Sequence, residues 1–200
     1  ERTDAYIGSY DVSDISDGVQ RLDRIQRLPG SEAVPHNVHV YGDWLVTSYY
    51  STGIQIVNAK RPELLVEVGY YDTYPQDNGA NFRGNWGAYP YFSSGLIAAS
   101  DRDNGLFILN PDYKDAAYAD FQVSDSLTGE LLFNTELYFS NEKDTVQTDL
   151  MAKASKAVTY TGNDTVSVTV EGYQPRKIAF KYEEGLSRAV PIRLLKNGIY

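Results

Sequence analysis

Along this chain apolar residues recur chiefly at every second position, and almost every such run ends at Gly, Asn, Asp or Pro after about 5 to 8 residues, the habit of strands. The pattern predicts an all-β protein. The clearest runs are Asn37 to Tyr41, Trp44 to Tyr50 after the Gly42-Asp43 turn, Ile54 to Val57 after Gly53, and Leu64 to Tyr71 after Arg61-Pro62. Four strands meandering through roughly 35 residues have the size of one propeller blade.

The meander is repeated. Trp44-Leu45-Val46-Thr47-Ser48 followed by Gly53-Ile54-Gln55-Ile56-Val57-Asn58 aligns without gaps on Leu96-Ile97-Ala98-Ala99-Ser100 followed by Gly105-Leu106-Phe107-Ile108-Leu109-Asn110, an offset of 52 residues. A fainter copy ends at Tyr10-Asp11-Val12-Ser13, with Val19 to Leu28 as its outer strand. The expectation is a partial β-propeller of about two and a half blades, whereas closed rings have about four to eight. The remaining blades are expected upstream of Glu1, the chain being read as a piece of something longer, or from another protein subunit. Strands Trp44 to Tyr50 and Leu96 to Ser100 are apolar on both sides and are therefore expected to pack against protein outside this chain.

Composition shifts at Asn110-Pro111-Asp112-Tyr113-Lys114-Asp115, and residues 112–118 read as a linker. Beyond it, strands are expected at Tyr118 to Val123, Glu136 to Phe139, Ala157 to Tyr160, Thr165 to Glu171, Ile178 to Tyr182 and Ala189 to Leu195, which makes residues 119–200 a small β-sandwich. The domains are thus 1–111, a linker, and 119–200.

Specific tracts carry two resemblances. His36-Asn37-Val38, Gly69-Tyr70-Tyr71-Asp72-Thr73-Tyr74-Pro75, Gly84-Asn85-Trp86-Gly87-Ala88-Tyr89-Pro90, Ser94 to Asp101 and Asn104 to Leu109 resemble the choice-of-anchor B family, whose members are built from LVIVD-type propeller repeats. Residues 120–195, with Asp125-Ser126-Leu127-Thr128-Gly129-Glu130, Thr148-Asp149-Leu150 and Gly172-Tyr173-Gln174-Pro175, resemble the carboxypeptidase regulatory-like β-sandwich, departing from it at Met151-Ala152-Lys153-Ala154. The first resemblance implies a bacterial protein that is extracellular or at the cell surface, associated with the outer membrane, and it brings no catalytic residues. The second implies a non-catalytic spacer. The chain is therefore expected not to be an enzyme; the alternatives are a surface glycan-binding module, or a fragment of a propeller hydrolase whose catalytic blades lie upstream.

Charge and composition narrow the chemistry further. A net charge of -9 and a pI near 4.7, with no Lys/Arg-rich run, oppose a nucleic-acid partner. No apolar run approaches the roughly 18 residues of a membrane-spanning helix. With no cysteine, disulfides, thiolate metal sites and thiol nucleophiles are all excluded. The two histidines, His36 and His39, point to opposite faces of an extended strand and cannot chelate one metal from it. No Gly-x-Ser-x-Gly elbow accompanies them.

Two features remain as candidate sites. Asp101-Arg102-Asp103-Asn104-Gly105 crowds oxygen ligands before a glycine, so Asp101, Asp103 and Asn104 are candidate calcium ligands, set against a plain Asp-Asn-Gly turn. Asp11, Asp14 and Asp17 pose the same question. Asp72 to Gly87 is a long loop carrying Tyr74, Phe82 and Trp86 among amides and acids, as in surfaces that recognise glycans or peptides. Trp86, flanked by Gly84 and Gly87, is expected to plug a blade interface; Tyr74 and Phe82, near Asp77, Asn78 and Asn81, are expected to be exposed. Asp125-Ser126-Leu127, Asp144-Thr145-Val146 and Asp164-Thr165-Val166 match a short bacterial O-glycosylation pattern, and equally a turn running into a strand.

Overall fold

In the computed structural model, which describes residues 5–198, strands alternate with turns throughout, and the one helical turn is a short 3-10 segment at Ile15–Asp17. The chain divides into two compact units, one ending at Asp115 and one beginning at Ala116.

The first unit holds three antiparallel sheets. Strands β1 (Ile7–Asp11) and β2 (Gln20–Ile25) pair with each other. A meander follows: β3 (Asn37–Tyr41), β4 (Trp44–Ser48), β5 (Ile54–Asn58) and β6 (Val66–Tyr71), in that spatial order. Last come β7 (Asn85–Tyr89), β8 (Ile97–Asp101) and β9 (Gly105–Leu109), also in order. None of these sheets closes on itself.

Alternation along the strands decides how the sheets stack. Val46, Ile54 and Ile56 point from one face of the meander into a core shared with Ala88, Ile97 and Ala99 of the third sheet. From the opposite face Leu45 and Tyr49 meet Ile7 and Ile25 of the first. Strand β5 is consequently buried at all five residues. Strands Trp44 to Tyr50 and Leu96 to Ser100 thus find their apolar cover largely within this unit, contrary to the expectation that outside protein is needed: Val46, Tyr49, Ile97 and Ala99 are all buried here.

The second unit is a β-sandwich. One sheet has β10 (Ala117–Asp125) between β13 (Lys153–Val158) and β16 (Ser187–Leu194), with β10 and β16 parallel. The other runs β12 (Asp144–Gln147), β11 (Glu136–Phe139), β14 (Gly162–Val168), β15 (Arg176–Tyr182). Phe121 from the first sheet packs edge-to-face on Phe139 and Phe180 from the second, at 5.3 and 5.4 Å between ring centres. Such aromatic pairs add to plain area burial.

Two expectations are corrected here. The linker does not extend to residue 118: Ala116, Ala117 and Tyr118 are buried, and β10 starts at Ala117. The strand expected at Ala157 to Tyr160 begins earlier, at Lys153, because Lys156 occupies an inward position and obscures the alternation. Its ammonium is held by Glu142 at 2.5 Å and Asp144 at 2.7 Å, above the Phe139 ring.

Candidate functional site

Four connections of the first unit converge on one end of the stacked sheets: the approach to β3, the β4–β5 turn, the long β6–β7 loop and the β8–β9 turn. Their meeting point is fixed by backbone bonds. Tyr50, in the left-handed region at φ 35°, accepts through its carbonyl from the N–H of Gly53 at 3.0 Å and of Asn85 at 2.9 Å. Gly84 lies against the same carbonyl: a Cβ there would stand 2.6 Å from Tyr50 O and 2.9 Å from Tyr74 Cβ, so only glycine allows the approach.

The loop is braced by its own polar side chains. Asp72 accepts from Tyr74 N–H at 2.8 Å, and Asp77 accepts from Gly79 N–H at 2.9 Å and from the Asn81 amide at 2.6 Å. Asn81 accepts from Arg83 N–H at 2.8 Å. These are Asx-type contacts, which hold irregular chain in one conformation.

On this frame sits an aromatic patch. The His36 ring lies 4.3 Å from Trp86 and 5.0 Å from Tyr50, between ring centres, and Phe82 stands 5.2 Å from Tyr50. His36 donates from Nδ1 to the Trp86 carbonyl at 2.5 Å. Arg102 lies over the Trp86 ring at 5.4 Å and donates to the carbonyl of Phe82. Trp86 is 47% exposed and Phe82 49%.

Of the three aromatic residues singled out in the loop, the structure thus brings Phe82 and Trp86 together at the surface. Trp86 is no plug, because its ring is half-exposed, and the room at Gly84 is taken by Tyr50 and Tyr74 instead. Tyr74 is 8% exposed, under the Arg83 guanidinium at 5.6 Å, so it anchors the loop rather than presenting itself. Sequence reasoning passed over His36, Tyr50 and Arg102 as members of the patch. A signal was available: Tyr50 and Arg102 occupy equivalent positions in the 52-residue repeat, immediately after β4 and β8.

The calcium candidates form a braced turn beside the patch. Asp101 accepts through Oδ1 from the N–H of Asp103 and of Asn104, both at 2.8 Å. Asp103 accepts from Arg83 Nη2 at 2.6 Å and Gly84 N–H at 3.0 Å, and the Arg83 bond foremost holds its carboxyl below the usual carboxylate range. Asn104 donates to the Thr73 carbonyl at 2.7 Å. Asp101 Oδ2 is the one buried oxygen of these three side chains without a partner, and among the described residues no group of three or more His, Cys, Asp or Glu is placed to hold a metal ion. Asp11 and Asp14 likewise accept from nearby backbone N–H, of Ser13 and Ser16.

No family model matches the chain, and no curated protein matches it. Among solved structures it is similar to GBS52, the minor pilin of Streptococcus agalactiae, at 13% identity and a TM-score of 0.36, covering 70% of this chain and 72% of that one. The Bacillus anthracis TIE protein aligns at 12% identity and TM-score 0.37, covering 80% of this chain and 38% of that one. The extracellular domain of the putative one component system BT4673 from B. thetaiotaomicron aligns at 8% identity and TM-score 0.32, covering 92% of this chain and 28% of that one. Likenesses this distant leave the functional reading to the residues themselves.

Proposed function

We propose that the chain is a non-catalytic interaction protein of a bacterial surface, extracellular and associated with the outer membrane. In this reading the three sheets of the first unit are successive blades of an LVIVD-type propeller of the choice-of-anchor B kind, and the sandwich is a carboxypeptidase regulatory-like spacer. The stacking of the sheets through equivalent faces supports the propeller part. The binding part rests on the surface cluster of Trp86, Phe82, His36 and Arg102, packed on the buried Tyr50.

The composition of that cluster favours a protein partner over a glycan. Tryptophan, tyrosine and arginine at the centre of a patch are the residues in which binding energy concentrates at protein interfaces. Sugar stacking requires an open ring face, whereas Trp86 already carries the His36 ring and the Arg102 guanidinium within 5.4 Å. The test immobilises the protein, Trp86→Ala and Phe82→Ala, and challenges each with cell-envelope protein and with envelope polysaccharide from a bacterium that makes the protein. The reading expects one defined protein retained by the parent and lost by both variants at unchanged melting temperature. Retention of polysaccharide alone would favour the glycan module, and equal capture by all three would remove the patch from function.

A further inference from the structure

The repeat places β5 and β9 in equivalent positions with the same register, Leu45 opposite Val57 in one sheet and Ile97 opposite Leu109 in the other. Strand β5 has a partner on each side, β4 and β6. Among the described residues β9 pairs with β8 alone. The segment that the repeat assigns to the fourth-strand place, 52 residues on from Val66–Tyr71, is Tyr118–Val123, and it is built into β10 of the sandwich, paired with β13 and β16. The third sheet therefore lacks the outer strand that the meander has.

The missing strand has left its space behind. A cleft of about 590 Å³ runs between β6 and β9, lined by Val68 and Tyr71 on one side, by Leu109, Pro111, Asp112 and Lys114 on the other, and by Ile54, Ile56 and Ile97 beneath. On the opposite face of the third sheet, Leu106 is 68% exposed and Ile108 58%, whereas their counterparts Ile54 and Ile56 pack against the third sheet. The bonds Tyr49 N–H to Gly53 O and Ala59 N–H to Asp43 O set the β4–β5 pairing so that Ile54 and Ile56 turn their backbone groups to β6. By the shared register Leu106 and Ile108 turn theirs outward, to the open edge. An apolar edge strand with outward backbone groups beside an open cleft is a template for another strand.

We infer that β9 is a strand-accepting edge, and that its occupant is an outer strand of this same repeat type, extended and alternating as Val66-Glu67-Val68-Gly69-Tyr70-Tyr71 does, supplied by protein beyond the described residues. The occupant pairs antiparallel with β9 and turns its alternate side chains into the cleft beside β6. This goes beyond the proposed function, since the edge needs a strand whether or not the sheets close into a ring. A second copy of the chain fits less well. Its own strand of this type, β6, is already paired with β5.

The probe is a synthetic, fluorophore-labelled peptide with the sequence of residues 63–72, titrated into the 200-residue protein and followed by anisotropy. Saturable binding is expected, with none for a scrambled peptide. Ile108→Pro, which removes an outward N–H and spares the bonds to β8, should weaken binding by at least about tenfold with little change in melting temperature. Peptide methylated at the backbone nitrogens of Gly69 and Tyr71 should also fail to bind, a control that leaves the protein untouched. Trp86→Ala should bind the peptide like the parent, so failure of the patch and failure of the edge are read separately. Absence of binding, or equal binding of the N-methylated peptide, overturns the inference. So does a dimer in sedimentation that Ile108→Pro dissolves, which would make a second copy the occupant.

Discussion

His36 donates from Nδ1 to the carbonyl of Trp86, 50 residues further on, and the two rings lie 4.3 Å apart. One side chain at the start of the meander thus fixes both the backbone and the ring of the most exposed tryptophan-bearing strand. His36→Ala should leave Trp86 in place on β7 but free to reorient. The expected readout is a change in tryptophan fluorescence anisotropy and weaker partner binding, with a stability loss of about 1 kcal/mol, the usual worth of one hydrogen bond. His36→Phe keeps a ring against Trp86 and should restore part of the binding.

Tyr74 and Phe82 should behave in opposite ways. Tyr74→Ala empties a buried site beneath Arg83 and is expected to cost about 3 to 5 kcal/mol in denaturant melts, the range for deleting a buried aromatic ring. Phe82→Ala removes a half-exposed ring and should cost within about 1 kcal/mol while still reducing capture of the partner.

The contrast between these two rings shows how far the sequence could be read. Alternation between glycine and acidic turns located β3, β4, β5, β8 and β9 closely, because apolar residues at every second position match the two-residue period of a strand and break the 3.6-residue period of a helix. Burial within the long loop was not legible: Asp77 and Asn81, which suggest a solvated loop, spend their side chains on backbone N–H and on each other, while Tyr74 among them is buried. Nor could the glycines around Trp86 be assigned, since the room at Gly84 is used by Tyr50 and Tyr74 and that at Gly87 by Ser100. In the sandwich, an inward Lys156 paired with two acids looks like a surface residue until the strands are seen.

The sandwich should fold alone if cut before Ala116 and less well if cut at residue 119. The shorter piece lacks Ala117 and Tyr118, which are buried and pair with Val158 and Ala157. Residues 116–198 are expected to unfold cooperatively in urea, with the 119–198 piece shifted to a lower midpoint; identical midpoints would place the boundary after Tyr118.

Acid stability of that piece should depend on Asp125. Backbone N–H bonds from Thr128 and Leu127 lead the causes that hold its carboxyl at about 2, and Tyr173 adds a hydroxyl bond at 3.1 Å. Because the folded value lies below the unfolded one of about 3.9, its contribution is present above pH 4 and is lost as pH falls towards 2. Asp125→Asn should flatten the stability profile in that window and lower the plateau above it, measured by urea melts across pH.

The most direct measurement of the central claim is the pair of values, partner affinity and unfolding free energy, for Trp86→Ala. A half-exposed ring on a recognition surface predicts affinity lost by at least about tenfold with stability changed by less than about 1 kcal/mol. A stability loss of about 3 to 5 kcal/mol with affinity unchanged among the molecules that remain folded would contradict the account and make Trp86 a packing residue.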